Sequence, residues 1–195
     1  MGNPRATGRP RDPRIETEAR AAVRSLLTEG GYAAVTGAAV AARAGTTKAA
    51  LYRRWPALPH LVHEAVFPGE LALDLSLGAD LATDLAGVVR GARDALCTPV
   101  ATAALPGLLA EIGTFPDLHA AMLQRFAGVF AALDERLRVA VAAGDAHPDA
   151  RADDLLRLVI GAVIAGLLLT PDAPGALDDR WADRLTATLV RSLHP

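Results

Sequence analysis

The sequence predicts an all-α protein of about nine helices, and three observations lead to this prediction. Hydrophobic residues make up 51% of the 195-residue chain but aromatic residues only 4%. Ala and Leu predominate over β-branched residues, which favours helices. Apolar residues recur at steps of three or four, and Gly and Pro fall between these periodic segments, where helices end.

The first 67 residues divide into an arm and four predicted helices. Residues 1–13 combine Gly, Pro and Arg with little to bury, so we expect a flexible basic arm. Glycines or prolines end the helices that follow, and their predicted N-caps are Asp12, Thr36 and either Thr46 or Thr47. The predicted spans are 13–30, 36–44, 47–54 and 58–67.

Five helices are predicted after an irregular or partly helical connection over 70–79. The second of them should be kinked or split by Pro106 and Gly107. The third has the clearest apolar spacing and is predicted as one long helix that ends at Gly144. The predicted spans are 80–96, 100–113, 116–144, 150–169 and 178–193.

Charge is distributed unevenly along the chain. Residues 1–67 carry ten Arg and Lys against five Asp and Glu, whereas the remainder carries ten against seventeen, so net charges of +5 and −7 give the overall −2. A basic head on an acidic body indicates a polyanionic partner for the head alone. Ordinary solvated helix faces also produce such a split.

Other features limit the compartment and the chemistry. The single cysteine, Cys97, excludes an internal disulfide and a cysteine-based zinc site. The first residues lack the apolar core of a signal peptide, and the longest apolar run, 158–169, is too short to cross a bilayer. We therefore expect a soluble, cytoplasmic protein that does not bind membranes.

Residues 40–54 fit a helix-turn-helix motif. Ala41 lets two helix backbones approach, Gly45 can adopt a positive φ in the turn, and Leu51 anchors the second helix in the core. With Leu51 buried, we expect outward positions for Thr46, Thr47, Lys48, Tyr52, Arg53 and Arg54. These side chains can donate hydrogen bonds to the phosphates and base edges of double-stranded DNA.

Longer stretches of the chain resemble the TetR/AcrR family of regulators. From Arg14 to Val66, the segments GGYAAVT, VAARAGTTKAALYRRWP and LVHEAV resemble that family's DNA-binding domain in order and spacing. The second half resembles its ligand-binding domain more loosely, in ADLATDLAGVVRGARDAL, LLAEIGTFPDLHAAM and PGALDDRWADRLTATLVRSL. The resemblance implies a three-helix helix-turn-helix domain over 14–67, joined to a larger helical effector-binding and dimerisation domain over 68–195.

The resemblance also implies that the third helix enters the major groove of an operator. The matching positions are Thr36, Thr46, Thr47, Lys48, Ala50, Tyr52, Arg53 and Arg54. Tyr52 would donate to a phosphate, and Lys48 and Ala50 would lie nearest the base edges. His60 could meet a phosphate near the start of the fourth helix.

Three positions depart from the family pattern. Gly37, Ala38 and Leu58 stand where many relatives carry polar or charged residues, which puts DNA contacts from the second and fourth helices in doubt. We hypothesise that the arm compensates, by following the phosphate backbone or entering a minor groove. Its candidate contacts are Arg5, Arg9 and Arg11. The alternative is a tail with no role in DNA binding.

An effector pocket and a dimer interface are implied for the second domain. The pocket region contains Leu108, Leu109, Ile112, Phe115, His119, Met122, Phe126 and Phe130. Charges are few there, with Glu111 and Arg125 as exceptions, so we expect a mostly apolar small-molecule effector. The last two helices would pair with their mates in a homodimer through Gly161, Ala162, Ala165, Gly166, Trp181, Leu185 and Leu189.

These features predict a DNA-binding regulator, most simply a repressor that an effector releases from a palindromic operator; activation stays open. An enzyme is an alternative, but no catalytic set is evident and no cofactor is expected. His60, His63 and Glu64 could bind a metal, although helix-surface residues are the simpler interpretation. A helical adaptor, or a ligand-binding dimer with weakened DNA binding, is the other alternative.

Overall fold

The computed structural model describes residues 13–69, 80–170 and 173–193, and this part of the chain is helical without strands. In chain order the helices are α1 (Pro13–Ala34), α2 (Gly37–Arg43), α3 (Lys48–Tyr52), α4 (Leu58–Val66), α5 (Leu81–Leu96), α6 (Pro99–Glu111), α7 (Pro116–Gln124), α8 (Ala127–Ala143), α9 (Ala152–Leu169), α10 (Ala173–Ala176) and α11 (Asp179–Leu193). The predicted all-α fold is confirmed. The predictions over 1–12 and 70–79 lie outside the described residues.

Helices α1 to α4 form a head with its own core. Val23 and Leu27 of α1 are buried against Val40 of α2 and the other apolar side chains of this cluster. Gly30 and Gly31 have non-helical backbone angles and kink α1, which resumes for one short segment to its end. The predicted end of the first helix at these glycines therefore corresponds to the kink.

The helices after the head, α5 to α11, form the body of the protein. One of them, α6, nevertheless contributes to the core of the head. Ala104 and Leu108 are fully buried with residues of α1 and α4. The Tyr32 ring lies directly against Gly107. A Cβ at position 107 would come within 2.2 Å of this ring, so the close approach requires glycine. Of the predicted kink or split at Pro106 and Gly107, the split is wrong: α6 runs through this proline, whose exposed ring does not enter the core.

The prediction of one long helix over 116–144 is also wrong, because this stretch forms two helices, α7 and α8. The backbone leaves helical geometry at Phe126, with φ −93° and ψ 0°. The break lets α7 lie against α4 while α8 packs against α5 and α9. Leu118 of α7 and Leu133 of α8 are both buried, but against different neighbours. Apolar spacing continues across the break, so periodicity could not reveal it.

The core of the body lies among α5, α8, α9 and α11. It includes Leu85, Leu133 and Leu156. Asp84 of α5 is buried and accepts a hydrogen bond of 2.5 Å from Arg136 Nε of α8, so the buried carboxylate has a cationic partner. The short α10 was not predicted. No helix of the described residues is long and apolar enough to cross a bilayer.

Candidate nucleic-acid interface and ligand cavity

Two capped helices and a glycine turn form the helix-turn-helix. The Thr36 hydroxyl accepts a hydrogen bond from Ala39 N at the start of α2, and the Thr47 hydroxyl accepts one from Ala50 N at the start of α3, both at 3.1 Å. Between the helices Gly45 adopts a φ of +60°, which favours glycine. This geometry fixes the direction of α3 relative to α2.

The outward face of α3, as defined here, consists of Thr47, Lys48, Ala49, Tyr52 and Arg53, all of which are exposed. Tyr52 leaves 51% of its surface in solvent, although its ring leans over the start of α2. A Cβ at position 37 would lie 2.9 Å from the Tyr52 hydroxyl. Gly37, which departs from the family pattern, therefore leaves room for the Tyr52 side chain.

Two residues expected at the DNA are turned away from this face. Ala50 is only 5% exposed, because it packs inward beside Leu51. The Arg54 side chain is only 10% exposed; it lies 3.5 Å from the Glu16 carboxylate and donates to the Ala50 carbonyl. The expected DNA contacts of Ala50 and Arg54 are therefore wrong. Thr46 is half-buried in the turn, where its N–H donates to a carbonyl of α2.

Ala49 is the exposed residue that the sequence reasoning missed. It precedes Tyr52 and Arg53 by three and four residues, and residues at those spacings share one helix face. Ala50 precedes Arg54 by four, and that pair shares the inward side. The spacing rule, applied from Tyr52 and Arg53, could have identified Ala49.

His60 faces the body rather than a phosphate, which corrects its expected role. Its Nε2 lies 2.9 Å from Asp117 Oδ2 of α7, and its ring meets Phe115 edge to face with centroids 5.6 Å apart. Only 13% of the His60 side chain is exposed. The start of α4 is therefore a contact between head and body.

The residues considered as metal ligands on α4 have other partners. His63 is buried and accepts a hydrogen bond of 3.1 Å at Nε2 from Arg125 Nε. Glu64 accepts hydrogen bonds from Arg20 at 2.5 Å and Trp55 Nε1 at 2.6 Å. Within the described ranges, no group of three or more potential ligands could hold a metal ion. His63 and Glu64 tie helices together and are not plain surface residues.

A cavity of about 270 Å³ lies beneath the head. Three of the expected pocket residues, Leu109, Met122 and Phe126, line it. The remaining walls come from α4, α5, α6, α9, the segments that follow α4 and α5, and the end of α7: His63, Val66, Phe67, Pro68, Ala92, Ala95, Leu96, Thr98, Leu105, Arg125, Ile160 and Ile164. Arg125 was noted in the pocket region as a charged exception, but sequence reasoning missed the other wall residues because apolar spacing does not distinguish a cavity wall from a filled core.

Five expected pocket residues do not line this cavity, which corrects that prediction. Leu108 is buried in the head core, Phe115 packs on His60, and Phe130 packs against the core of the body. Ile112 is half-buried and His119 is exposed. Of the five, only Phe130 follows the break between α7 and α8.

Arg125 and His63 form the polar end of the cavity. Burial, and then the charges of Arg125 and His60, lower the pKa of His63 to about 4. His63 is therefore neutral at pH 7 and can accept the hydrogen bond from Arg125. Arg125 also donates to the Gly69 carbonyl, and burial lowers its pKa. These bonds connect the end of α7 to α4.

The expected dimer residues fall into two groups. Gly161 and Ala165 are exposed on α9, on the same side as Leu158, Leu168 and Leu169, which are 55%, 50% and 81% exposed. We call this set the α9 face. Ala162 is half-buried beside it.

The other expected interface residues also pack within the chain, and the burial of Leu189 there leaves it no surface for a second copy. Leu189 is 3% exposed in the core of the body, and Trp181 and Leu185 are half-buried against that core. A Cβ at Gly166 would lie 2.6 Å from Leu177, so this glycine permits an approach within the protomer. The candidate arm contacts, Arg5, Arg9 and Arg11, lie outside the described residues.

Two family models match the chain. One, described as bacterial regulatory proteins of the tetR family, matches residues 20–65. The other, described as the C-terminal domain of tetracyclin repressor-like proteins, matches residues 78–189. The first range contains the helix-turn-helix, and the second contains α5 to α10 and most of α11.

Individual proteins resemble the chain over nearly its whole length. Uncharacterized HTH-type transcriptional regulators of Mycobacterium tuberculosis and Mycobacterium bovis are 32% identical to it, with 94% of both chains covered. The structure of the TetR family transcription regulator SCO0332 is 28% identical with a TM-score of 0.62, covering 93% of this chain and 100% of that one. NalD, the secondary repressor of the MexAB-OprM multidrug efflux pump in Pseudomonas aeruginosa, shares the fold at 21% identity and a TM-score of 0.62, with 93% and 97% covered.

Proposed function

Because the chain belongs to the TetR family of helix-turn-helix transcriptional regulators, we propose that it is a repressor that binds its operator as a homodimer and leaves it when a small effector binds. The observation that carries the proposal is the outward face of α3, which exposes Lys48, Tyr52 and Arg53 at the end of a basic head. The match to a repressor-like C-terminal domain supports repression over activation.

Helix α3 would enter the major groove and read the operator. Lys48 would donate to the acceptors of a guanine, and Ala49 would offer its methyl group to a thymine. Thr47, Tyr52 and Arg53 would contact phosphates, which sets the register of α3 without reading bases. Ala49 takes the place that was expected for Ala50.

Contacts outside α3 would add affinity without sequence information. Thr36 is exposed at the start of α2, where its hydroxyl and the free N–H groups of the helix can face a phosphate. The arm would neutralise further phosphates through its arginines. These are Arg5, Arg9 and Arg11.

The α9 face would form the dimer interface. Leu158, Leu168 and Leu169 are large apolar side chains that the protomer leaves exposed, and Gly161 allows close approach of a second helix. A two-fold axis through this face would bring two copies of α3 to one side of the DNA, about one helical turn (~34 Å) apart. The operator would therefore be roughly palindromic.

Helices α4 and α6 would carry the effector signal, because each lines the cavity and each packs in the head. His63 and Val66 of α4 and Leu105 and Leu109 of α6 line the cavity, while Leu108 is buried in the head core. A ligand shifts an equilibrium only by its differential affinity for the two states. An effector that fits a different placement of α4 and α6 would change the separation of the two heads and release DNA.

Selection of bound fragments from genomic DNA tests the DNA-binding proposal. We expect a palindromic sequence to be enriched. Fluorescence anisotropy on that duplex should then show Lys48→Ala binding about tenfold or more weakly than wild type. Arg138→Ala, at an exposed position of α8, is the matched control and should stay within about twofold. Failure to enrich any sequence would contradict the proposal and favour the helical adaptor.

Transcription from a promoter that contains the selected sequence tests the direction of regulation. We expect purified protein to lower transcript yield in vitro and Lys48→Ala to restore it. A rise in yield would identify an activator. Neither result affects the assignment of α3 as the DNA-reading helix, which the binding measurements test separately.

A further inference from the structure

The cavity beneath the head has one cationic side chain in apolar walls. Val, Leu, Ile, Met, Phe and Ala supply most of the lining, and Arg125 is the cation among them. Arg125 is half-buried, and burial lowers its pKa. Desolvating a guanidinium is costly unless a carboxylate or another anion compensates its charge.

Arg125 forms no ion pair with a carboxylate among the described residues. Its hydrogen bonds there go to His63 Nε2 and to the Gly69 carbonyl, both of which are uncharged acceptors. The nearby carboxylate that stabilises its charge is Glu64, which already accepts hydrogen bonds from Arg20 and Trp55. The positive charge at the cavity is therefore only partly compensated within this part of the chain.

The guanidinium also has donors to spare. It carries five N–H donors in a planar fork, and in the described part of the chain two of its hydrogen bonds are made, from Nε to His63 and from a terminal nitrogen to Gly69. His63 and Gly69 hold the group in place at one end of the cavity. The other donors can form the paired hydrogen bonds that a carboxylate accepts from arginine.

We propose that the effector is an apolar molecule that ends in one carboxylate, with its apolar part in the cavity and its carboxylate on Arg125. This inference rests on the proposed effector function of the same cavity and names the class of ligand. A cavity of about 270 Å³, near the lower end of the usual range for small-molecule sites, suits a compact chain or ring system. Phe126 and Ile160 would contact the apolar part.

Calorimetric titration with octanoate and octanol tests the proposal, since these probes share an alkyl chain and differ in charge. We expect wild type to bind octanoate about tenfold or more tightly than octanol. Arg125→Gln should remove this preference while octanol affinity stays within about twofold, and Arg125→Lys should keep part of it. Arg138→Gln, an exposed arginine on α8, is the matched control and should behave as wild type.

A cavity-filling variant checks the location of the site. Ala95→Leu adds volume to the α5 wall of the cavity and should weaken both probes. If Arg125→Gln loses both probes, Arg125→Lys decides: a retained preference for octanoate supports the proposal, and its loss overturns it. Equal affinity of wild type for octanoate and octanol would overturn the proposal outright, because the charge of Arg125 would then be compensated within the protein.

Octanoate binding tests the ligand class, and the effect of octanoate on operator affinity tests effector-induced release. Octanoate that binds through Arg125 without changing operator affinity would leave the ligand class standing and contradict effector-induced release. Operator binding that is intact in a protein without preference for octanoate would contradict only the ligand class. The two measurements therefore separate the inference from the function on which it rests.

Discussion

The outward face of α3 and the cavity beneath the head are built in different ways. The α3 face comes from one short segment, whose direction is fixed by the Thr47 cap, the Gly45 turn and the Leu51 anchor. The cavity walls come from helices spread along the chain, from His63 to Ile164. Side chains of the α3 face should therefore be replaceable at little cost in stability. Replacing residues where head and body meet should change stability and, under the proposed function, the response to an effector.

Removing Leu108 is the strongest test of this difference. Leu108 of α6 is fully buried in the core of the head, so Leu108→Ala should lower the free energy of unfolding by about 2–5 kcal/mol. Urea denaturation monitored by circular dichroism measures the change. Leu123→Ala, at a position 51% exposed on α7, should change stability by about 0.5 kcal/mol or less. Equal effects of the two variants would break the comparison.

A charge on the α9 face tests the role of the body outside the cavity. Leu158→Glu would place one carboxylate from each protomer in the proposed interface, so we expect the dimer dissociation constant to rise by about 100-fold or more. Sedimentation equilibrium measures it. Val139→Glu, at a position 46% exposed on α8, is the control and should leave the dimer intact. A Leu158→Glu protein that dimerises as wild type does would place the interface elsewhere.

The buried imidazole of His63 lies at the junction of head and body, where it bonds to Arg125. It should make the free energy of unfolding depend on pH. The pKa of His63 is lowered to about 4 from an ordinary value of 6.5. The unfolded chain therefore takes up the proton first, so the contribution of neutral His63 is present above pH 6.5 and is lost as pH falls towards 4. Between pH 7 and 5 we expect wild type to lose about 1–2 kcal/mol more stability than His63→Gln.

His63→Gln keeps a hydrogen-bond acceptor for Arg125 without titrating, and the other histidines are common to both proteins. Urea denaturation at each pH gives the difference between them. Parallel pH profiles would show that the junction does not hold a neutral imidazole. A steeper wild-type profile with unchanged operator affinity at pH 7 would sharpen the distinction between the junction and the α3 face.

The smallest effect is expected from deleting the arm. This deletion tests whether α3 alone supplies the DNA contacts of the head. Deleting residues 1–11 removes Arg5, Arg9 and Arg11. The log–log slope of affinity against salt should then flatten by about 0.9 for each lost phosphate contact. Anisotropy titrations on one operator duplex at several salt concentrations measure it. An unchanged slope would assign the arm no role in binding.

Local sequence rules predicted the helix-turn-helix well. The caps at Thr36 and Thr47 and the positive φ of Gly45 follow from side-chain hydrogen bonds and the missing Cβ, which act within a few residues. Ala50 was predicted at the DNA only from the family resemblance, whereas the helical spacing from Tyr52 favours Ala49. That mistake could have been avoided from the sequence.

The errors in the body have a different origin. The break at Phe126 and the inward packing of Leu189 depend on which helices become neighbours. Small residues such as Gly166 permit close approach to any partner, and here the partner is Leu177 of the same chain. Apolar periodicity records that a side chain is buried and does not record what covers it.

The sequence alone determined the helical class, the capped helix-turn-helix and the basic head, because propensity, capping and charge are properties of neighbouring residues. Only the tertiary structure decided that α6 enters the head through Leu108, that His60 meets Asp117, and that Arg125 reaches the cavity. Those contacts join residues far apart in the chain. Their formation depends on how whole helices pack, which no local pattern encodes.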